Sequence, residues 1–161
     1  MSDTLPHFEY IRGTLYNLTR AMLGEDAAEH GYRVAERLLN AGASWGLAAI
    51  GQIHDLAEDT DLSVEDVAHL VSSTSLNYME QDYLYDEILK ALDGVTRRDG
   101  EVYADFIERI RATSDLAVAI KLADLRDNLS RCSESLAKRY RKALERLEVF
   151  EPTRDEMREI R

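Results

Sequence analysis

The sequence predicts an all-α protein that folds as a single domain of about eight helices. Apolar residues recur at spacings of three and four along most of the chain, which is the period of an amphipathic helix. Two prolines and eight glycines interrupt the 161 residues, and no segment alternates apolar and polar residues as a half-buried strand does. The length is that of one ordinary domain, so we expect residues 1–161 to form one folded unit.

Four helices are predicted in the first half of the chain, at about 5–22, 25–41, 44–58 and 63–72. The second should end near Gly42, since glycine commonly follows the last residue of a helix. Ser44 is suited to cap the third helix, because its hydroxyl can accept a hydrogen bond from a free backbone N–H. Ser63 begins the fourth helix, and Asp66 three residues later completes a capping box.

Four more helices are predicted in the second half of the chain, at about 80–94, 101–113, 115–132 and 135–150. Gly94 lies where the first of these should end. Pro152 prevents the last from continuing, because proline lacks the backbone N–H and its ring clashes with the preceding turn.

Composition and charge exclude several classes of protein. The net charge of −11 argues against binding to a nucleic-acid polymer, which needs a basic face. No apolar run reaches the ~20 residues that cross a membrane. The N-terminus lacks the basic and apolar regions of a secretory signal. Cys132 is the single cysteine, so an internal disulfide and a cysteine-based zinc site are excluded, and we expect a cytoplasmic protein.

The segment "GQIHDLAEDT" (51–60) concentrates ionisable side chains near the end of the third predicted helix. His54 and Asp55 are adjacent, and a divalent ion placed over the gap between them can contact both. Glu58 and Asp59 lie one turn further along, within reach of a water beside such an ion. Imidazole and carboxylate together suit Mn, Fe, Zn or Co. The alternative interpretation is a solvated, acidic helix end.

Two further segments bring polar side chains to apolar surroundings. His30 lies on the apolar stripe of the second helix, where it is either a hydrogen-bonded core residue or an inward-facing ligand. Lys121, Asp124, Asn128 and Arg131 form a polar stripe at spacings of three and four. A buried carboxylate requires a cationic partner, so Asp124 needs Lys121, an arginine or a metal ion. A Lys121–Asp124 salt bridge is the purely structural alternative.

These segments together carry a family resemblance. Four motifs occur in a fixed order: His30, "HDLAEDT" (54–60), "DGVTRR" (93–98) and "KLADLRDN" (121–128). The set resembles the HD-domain metal-dependent phosphohydrolases, and in particular the hydrolase domain of the RelA/SpoT type and its small stand-alone relatives. The resemblance covers about 25–131 and leaves 135–161 as a C-terminal helical extension. It implies a helical bundle of the HD-domain type.

The resemblance also implies roles for individual residues. The implied ligands of one divalent ion, usually Mn²⁺ in that family, are His30, His54, Asp55 and Asp124. Glu58 and Asp59 match the catalytic acidic pair, and Asn128 matches a residue that lines the nucleotide site. Asp127 is an alternative ligand, but the "KLAD" alignment and the polar stripe both favour Asp124.

Substrate phosphates would need positive partners in this acidic chain. Arg97 and Arg98 precede the helix that begins near 101, and arginine can bind phosphate through two parallel hydrogen bonds. Lys121 can reach a phosphate as a point charge. If Arg97 and Arg98 do not bind phosphate, they are part of a solvated loop. Tyr103 either stacks on a nucleobase or packs in the core. The basic stretch 138–146 is interpreted as a solvated helix face.

The resemblance implies an enzyme that removes the 3′-pyrophosphate of guanosine tetra- or pentaphosphate (ppGpp) or of a related nucleotide. The resemblance implies a small nucleotide as the binding partner. It implies neither a nucleic-acid polymer nor a membrane as a partner. Gly31 stands where the family has a proline, and Arg126 and Asp127 also depart from its pattern. Two alternatives stay open: an HD-type phosphatase acting on a nucleoside monophosphate or another phosphorylated metabolite, and a helical binding module with a structural metal.

Overall fold

A computed structural model describes residues 4–74 and 81–158, and every regular element in those ranges is helical. The all-α prediction is therefore confirmed. The helices are α1 (Thr4–Leu23), α2 (Glu25–Asn40), α3 (Trp45–Ile53), α4 (Leu56–Asp59), α5 (Val64–Thr74), α6 (Gln81–Val95), α7 (Tyr103–Thr113), α8 (Asp115–Leu129), α9 (Glu134–Leu147) and α10 (Arg154–Arg158). A short 3-10 turn follows α9. None of the described helices combines the length and the apolar character needed to cross a lipid bilayer.

Helix α8 occupies the centre of the fold. It packs against α2, α3, α6, α7 and α9, and ten of its fifteen residues are buried. Because α8 is packed on several sides and its buried set includes polar residues, it shows little amphipathic pattern. Two of its buried residues, Asp124 and Asp127, are nevertheless charged. Each therefore needs a partner inside the protein.

Helices α2 and α3 approach each other closely at a glycine. A Cβ atom on Gly31 would lie 2.1 Å from the backbone carbonyl oxygen of Gln52, a separation that van der Waals repulsion forbids. The missing side chain at Gly31 thus permits the two backbones to pack together. Because His30 precedes Gly31 and His54 follows Ile53 at the end of α3, this contact also brings the two histidines near each other.

The helix predicted at 44–58 is divided in two. Ser44 caps its start as predicted, accepting a hydrogen bond from the Leu47 N–H at 3.3 Å. Helix α3 then ends at Ile53, and α4 begins at Leu56. The His54 ring nitrogen Nδ1 lies 2.7 Å from the Gly51 carbonyl oxygen, so the side chain competes for a backbone acceptor inside the helix. The prediction of one continuous helix was wrong because of this local competition.

Two other predicted boundary signals, the Ser63 capping box and Pro152, agree with the structure, whereas α8 ends at Leu129 and α9 at Leu147, each about three residues before the predicted end. The Asp66 carboxylate accepts from the Ser63 N–H at 2.9 Å, and the Ser63 hydroxyl accepts from the Asp66 N–H at 3.1 Å, which is the predicted capping box. Pro152 lies beyond the end of α9, as expected. Beyond it the structure contains α10, a short helix whose Met157 is buried in the core.

We expect Gly31→Ala to lower the free energy of unfolding by about 1–3 kcal/mol, the usual cost of overpacking a core. The added methyl group must push α2 away from the Gln52 carbonyl. Chemical denaturation followed by circular dichroism measures the change.

Gly13→Ala is the matched control. Gly13 lies inside α1 with no atom within 4 Å of its added Cβ, so alanine should raise stability there by about 0.5–1 kcal/mol through better helix propensity. Equal effects of the two substitutions would contradict the close approach of α2 and α3.

Candidate functional site

The four side chains singled out as metal ligands converge in the fold. His30 comes from α2, His54 and Asp55 from the turn between α3 and α4, and Asp124 from α8. His30 Nε2 lies 3.1 Å from Asp124 Oδ1 and 3.7 Å from Asp55 Oδ2. His54 Nε2 lies 3.0 Å from Asp55 Oδ1 and 3.7 Å from Asp124 Oδ1. We call these four residues the His–Asp cluster.

Both imidazoles are oriented by a contact at their other nitrogen. His30 Nδ1 lies 2.8 Å from Asp127 Oδ2, and His54 Nδ1 lies 2.7 Å from the Gly51 carbonyl oxygen. Each acceptor favours a proton on Nδ1, so the neutral ring keeps its Nε2 lone pair facing the carboxylates of the cluster. Metal-binding histidines are held in this way, by a carboxylate or a backbone carbonyl behind the ring.

The cluster fits a divalent cation. His54 Nε2 is buried and makes no hydrogen bond within the described part of the chain, despite lying near two carboxylates. One ligand atom each from His30, His54 and Asp55 lies within 4.8 Å of the others. Asp124 falls outside that group of three, yet its Oδ1 faces both Nε2 atoms. Two nitrogen and two oxygen donors of this kind suit Mn, Fe, Zn or Co.

Neighbouring charges and hydrogen bonds together shift the pKa values of the cluster side chains more than burial does. Burial alone would lower the pKa of His30 and His54, but the adjacent carboxylates raise the pKa of both rings. Burial would raise the pKa of Asp55, but the His54 charge lowers it. Burial would also raise the pKa of Asp124, but the Lys121 ammonium and the two imidazoles together lower it well below its ordinary value. The cluster therefore favours positive charge on or between its imidazoles.

Lys121 and Asn128 both bind Asp124. Lys121 Nζ lies 2.6 Å from Asp124 Oδ2, and Asn128 Nδ2 donates to Asp124 Oδ1 at 2.7 Å. The salt bridge weighed as a structural alternative is thus present, alongside the histidine contacts rather than instead of them. Both residues contribute to the support of Asp124, whatever role they have toward a substrate.

Asp127 lies behind His30, on the side away from the cluster. Its Oδ2 lies 2.8 Å from His30 Nδ1, and its Oδ1 accepts a hydrogen bond from Arg33 Nε at 3.0 Å. Arg37 Nε lies 3.5 Å from the same Oδ1. Sequence reasoning considered Asp127 as a ligand and overlooked both arginines. The spacing of the two arginines could have predicted their position beside His30, because residues 33 and 37 lie on the same face of α2 as residue 30.

Glu58 and Asp59 line a cavity of about 600 Å³ with Met22, Asp61 and Leu62. Partial desolvation raises the pKa of both carboxyl groups above their ordinary values, although both residues are exposed. Glu58 Oε2 accepts a hydrogen bond from the Arg97 backbone N–H at 3.2 Å. The loop that follows α6 thus contacts the predicted acidic pair through its backbone.

The two predicted phosphate-binding arginines are otherwise occupied. The Arg97 guanidinium donates to the Glu101 carbonyl oxygen at 2.6 and 3.0 Å. The Arg98 side chain is exposed, with Nη2 3.8 Å from Asp93 Oδ2. The structure gives neither guanidinium a contact with the His–Asp cluster, so their proposed role stays a prediction.

A basic groove between α7 and α9 was not predicted. Its volume is about 240 Å³, and Tyr103, Arg139, Lys142 and Arg146 line it. The Arg139 guanidinium lies 4.6 Å from the centre of the Tyr103 ring, and the buried Tyr103 hydroxyl has no hydrogen-bond partner among the described residues. The basic residues of 138–146 are exposed as expected, but their spacing of three and four also places several of them along this groove.

Comparison of the sequence with protein-family models and with curated proteins gives no match. The interpretation of the site therefore depends on the arrangement of its own residues and on the order of its motifs.

We expect His54→Ala to abolish Mn²⁺ binding and Asp127→Asn to weaken it about 10–100-fold, the usual effect of removing an orienting partner of a ligand. His54 supplies a donor atom, whereas Asp127 orients the ring of His30. Isothermal titration calorimetry measures both affinities. His69→Ala is the control, since His69 is exposed on α5, away from the cluster. Wild-type affinity in the His54 variant would contradict the ligand assignment.

Metal affinity should rise with pH. The pKa of both imidazoles is raised above the ordinary 6.5, so protons compete for their nitrogens already above that pH. Binding of Mn²⁺ should therefore release protons, and affinity at pH 6 should be lower than at pH 8. Titrations in two buffers of different ionisation enthalpy count the released protons. An affinity independent of pH over this interval would exclude the imidazoles as ligands.

Proposed function

We propose that this protein is a divalent-metal-dependent phosphohydrolase that acts on a nucleotide. The observation that carries the proposal is the convergence of His30 and His54 Nε2 on the carboxylates of Asp55 and Asp124, with His54 Nε2 buried 3.0 Å from Asp55 Oδ1. The residues of the His–Asp cluster would hold the ion, and Mn²⁺ is the ion that the motif resemblance favours. When bound, such an ion supplies Lewis-acid chemistry by polarising a phosphoryl oxygen and making water more acidic.

Glu58 and Asp59 would accept the proton that the attacking water loses in this reaction. Both lie on α4, directly after the cluster residue Asp55, and both line the larger cavity. Their raised pKa values, caused by partial desolvation, suit groups that accept a proton from water. Because the two carboxyl groups are close in sequence and share the cavity, we expect them to titrate as a coupled pair.

Recognition of an anionic substrate would use the basic groove. The chain carries a net charge of −11, so a phosphorylated ligand needs a local concentration of positive charge. Arg139, Lys142 and Arg146 line the groove and would supply that charge. Tyr103 lines the same groove, where its ring would contact the nucleobase.

The motif resemblance favours a guanosine 3′-pyrophosphate as substrate. Hydrolysis would break the bond between the 3′ oxygen and phosphorus, with water supplying the oxygen to phosphorus and a proton to the nucleoside. The products would be pyrophosphate and a nucleotide with a free 3′-hydroxyl.

One observation favours a second candidate, a phosphatase acting on a less highly charged substrate. The larger cavity is lined by three acidic side chains, those of Glu58, Asp59 and Asp61, and a polyphosphate would be repelled there. A nucleoside monophosphate carries less negative charge and would meet less repulsion.

The deciding experiment is a panel of nucleotides incubated with purified protein and Mn²⁺, with the products identified. Pyrophosphate released from guanosine tetraphosphate supports the first candidate, and orthophosphate released from monophosphates supports the second. Metal binding without any hydrolysis would support the binding-module alternative and refute the enzymatic proposal.

We expect the double substitution Glu58→Gln and Asp59→Asn to reduce kcat about 10²–10⁴-fold while Mn²⁺ binding persists, because proton transfer typically contributes that much. Asp61→Asn is the matched control, since Asp61 lines the same cavity but lies further from the cluster in sequence. Steady-state kinetics and metal stoichiometry are measured on the same preparations. A double variant with wild-type kcat would show that neither carboxylate handles the proton.

A further inference from the structure

Arg109 of α7 connects several backbone groups around the end of α6. Its guanidinium donates to both carboxylate oxygens of Glu101 at 2.7 and 2.9 Å. It also donates to the carbonyl oxygens of Asp93 at 3.0 Å, Thr96 at 2.8 Å and Gly94 at 3.4 Å. Carbonyls at a helix C-terminus lack partners within the helix, so one side chain satisfies the last turn of α6 and anchors the loop after it.

Glu101 extends this anchor into the loop 96–101. Its Oε2 accepts from the Arg98 N–H at 3.0 Å, and its carbonyl oxygen accepts from the Arg97 guanidinium. The Arg109 hydrogen bonds lower the pKa of Glu101 to about 2, so the carboxylate keeps its charge at any ordinary pH. Gly100 has a φ of +71°, which a side chain would disfavour and which lets the loop turn back toward Arg98.

The loop presents one backbone group to the acidic pair. The Arg97 N–H donates to Glu58 Oε2 at 3.2 Å, across the space between the loop and α4. Since the loop has no regular secondary structure, its own side-chain contacts set the position of this N–H. Those contacts lead through Glu101 to Arg109.

We propose that Arg109 is a positioning residue, which holds loop 96–101 through Glu101 so that the Arg97 N–H orients the Glu58 carboxylate. This inference rests on the proposed function for its kinetic consequence, because Glu58 is there the proton acceptor. The hydrogen-bond chain itself can be tested without any activity.

Arg109→Lys is the informative substitution, because it keeps the charge and most of the side-chain volume. A lysine has one nitrogen on a flexible stem, and it cannot reproduce the planar fork that binds Glu101 and three carbonyls together. Arg126→Lys is the matched control. Arg126 binds both Glu151 oxygens, at 2.8 and 3.0 Å, between α8 and the C-terminal segment.

In the kinetic test we expect Arg109→Lys to reduce kcat by up to about a hundredfold, the effect of a small misplacement of a catalytic group. KM and Mn²⁺ stoichiometry should stay at wild-type values, and Arg126→Lys should change kcat less than about twofold, since surface pairs away from a site have small effects. In a Glu58→Ala background, Arg109→Lys should cause no further loss, because the two residues act in one chain. An equal loss in both backgrounds would overturn the proposal.

The structural test follows hydrogen exchange of the Arg97 backbone amide by NMR. Arg109→Lys should accelerate that exchange at least tenfold, whereas Arg126→Lys should leave it unchanged. Glu101→Gln keeps the shape of the side chain but removes its charge, and it should also accelerate exchange of the Arg97 amide. This variant replaces Arg109→Lys in the test if the lysine variant does not fold. Wild-type exchange in both loop variants would overturn the proposal. If the wild-type protein hydrolyses no nucleotide, the proposed function fails while this exchange measurement still decides the positioning role.

Discussion

Asp124 places a negative charge in α8, a helix with ten of its fifteen residues buried. Removing a carboxylate from water costs several kcal/mol unless charge and hydrogen bonds replace its hydration. The protein surrounds it with Lys121 on one oxygen, Asn128 on the other, and imidazoles from α2 and from the α3–α4 turn. An apolar residue would fill this position without that cost. The proposed metal site would account for this cost, and the arrangement requires α2, the α3–α4 turn and α8 to meet at one point.

The meeting of those three elements depends on small residues as much as on charge. Gly31 removes the side chain that would separate α2 from the Gln52 carbonyl, and a Cβ on Gly51 would lie 2.4 Å from Leu38 Cδ1. With both glycines in place, the interface of α2 and α3 closes over Val34 and Ile50, which are fully buried. The histidines flank this interface, so tight apolar packing fixes the distance between their rings. Their centres lie 5.6 Å apart, close enough for both Nε2 atoms to face the same carboxylates.

Local sequence signals predicted most of the fold, because caps and periodicity act over a few residues. The Ser63 and Asp66 capping box is an example, and the buried, polar character of Asp124 followed from its neighbours within two helical turns. The rest depended on contacts between distant segments. Asp127, for example, faces Arg33 of another helix across 94 positions of sequence. The break at His54 is local instead, because its side chain takes the Gly51 carbonyl three residues away, and apolar periodicity does not reveal that competition. A pattern read along one helix contains no information about which face of a second helix will oppose it.

The distribution of charge around the site limits how a substrate can approach. The larger cavity is acidic, whereas the groove beside Tyr103 is basic, although the chain as a whole is strongly negative. Burial raises the pKa of the Tyr103 hydroxyl, and the charges of both Lys121 and Asp124 also act on it, so this tyrosine lies within electrostatic reach of the cluster. A phosphorylated ligand would thus be attracted first to the side of Arg139 and Lys142. The acidic side, where Glu58 and Asp59 lie, repels anions. In the proposed function that side would handle the water and proton of the hydrolytic step, while the basic groove would attract the phosphorylated ligand.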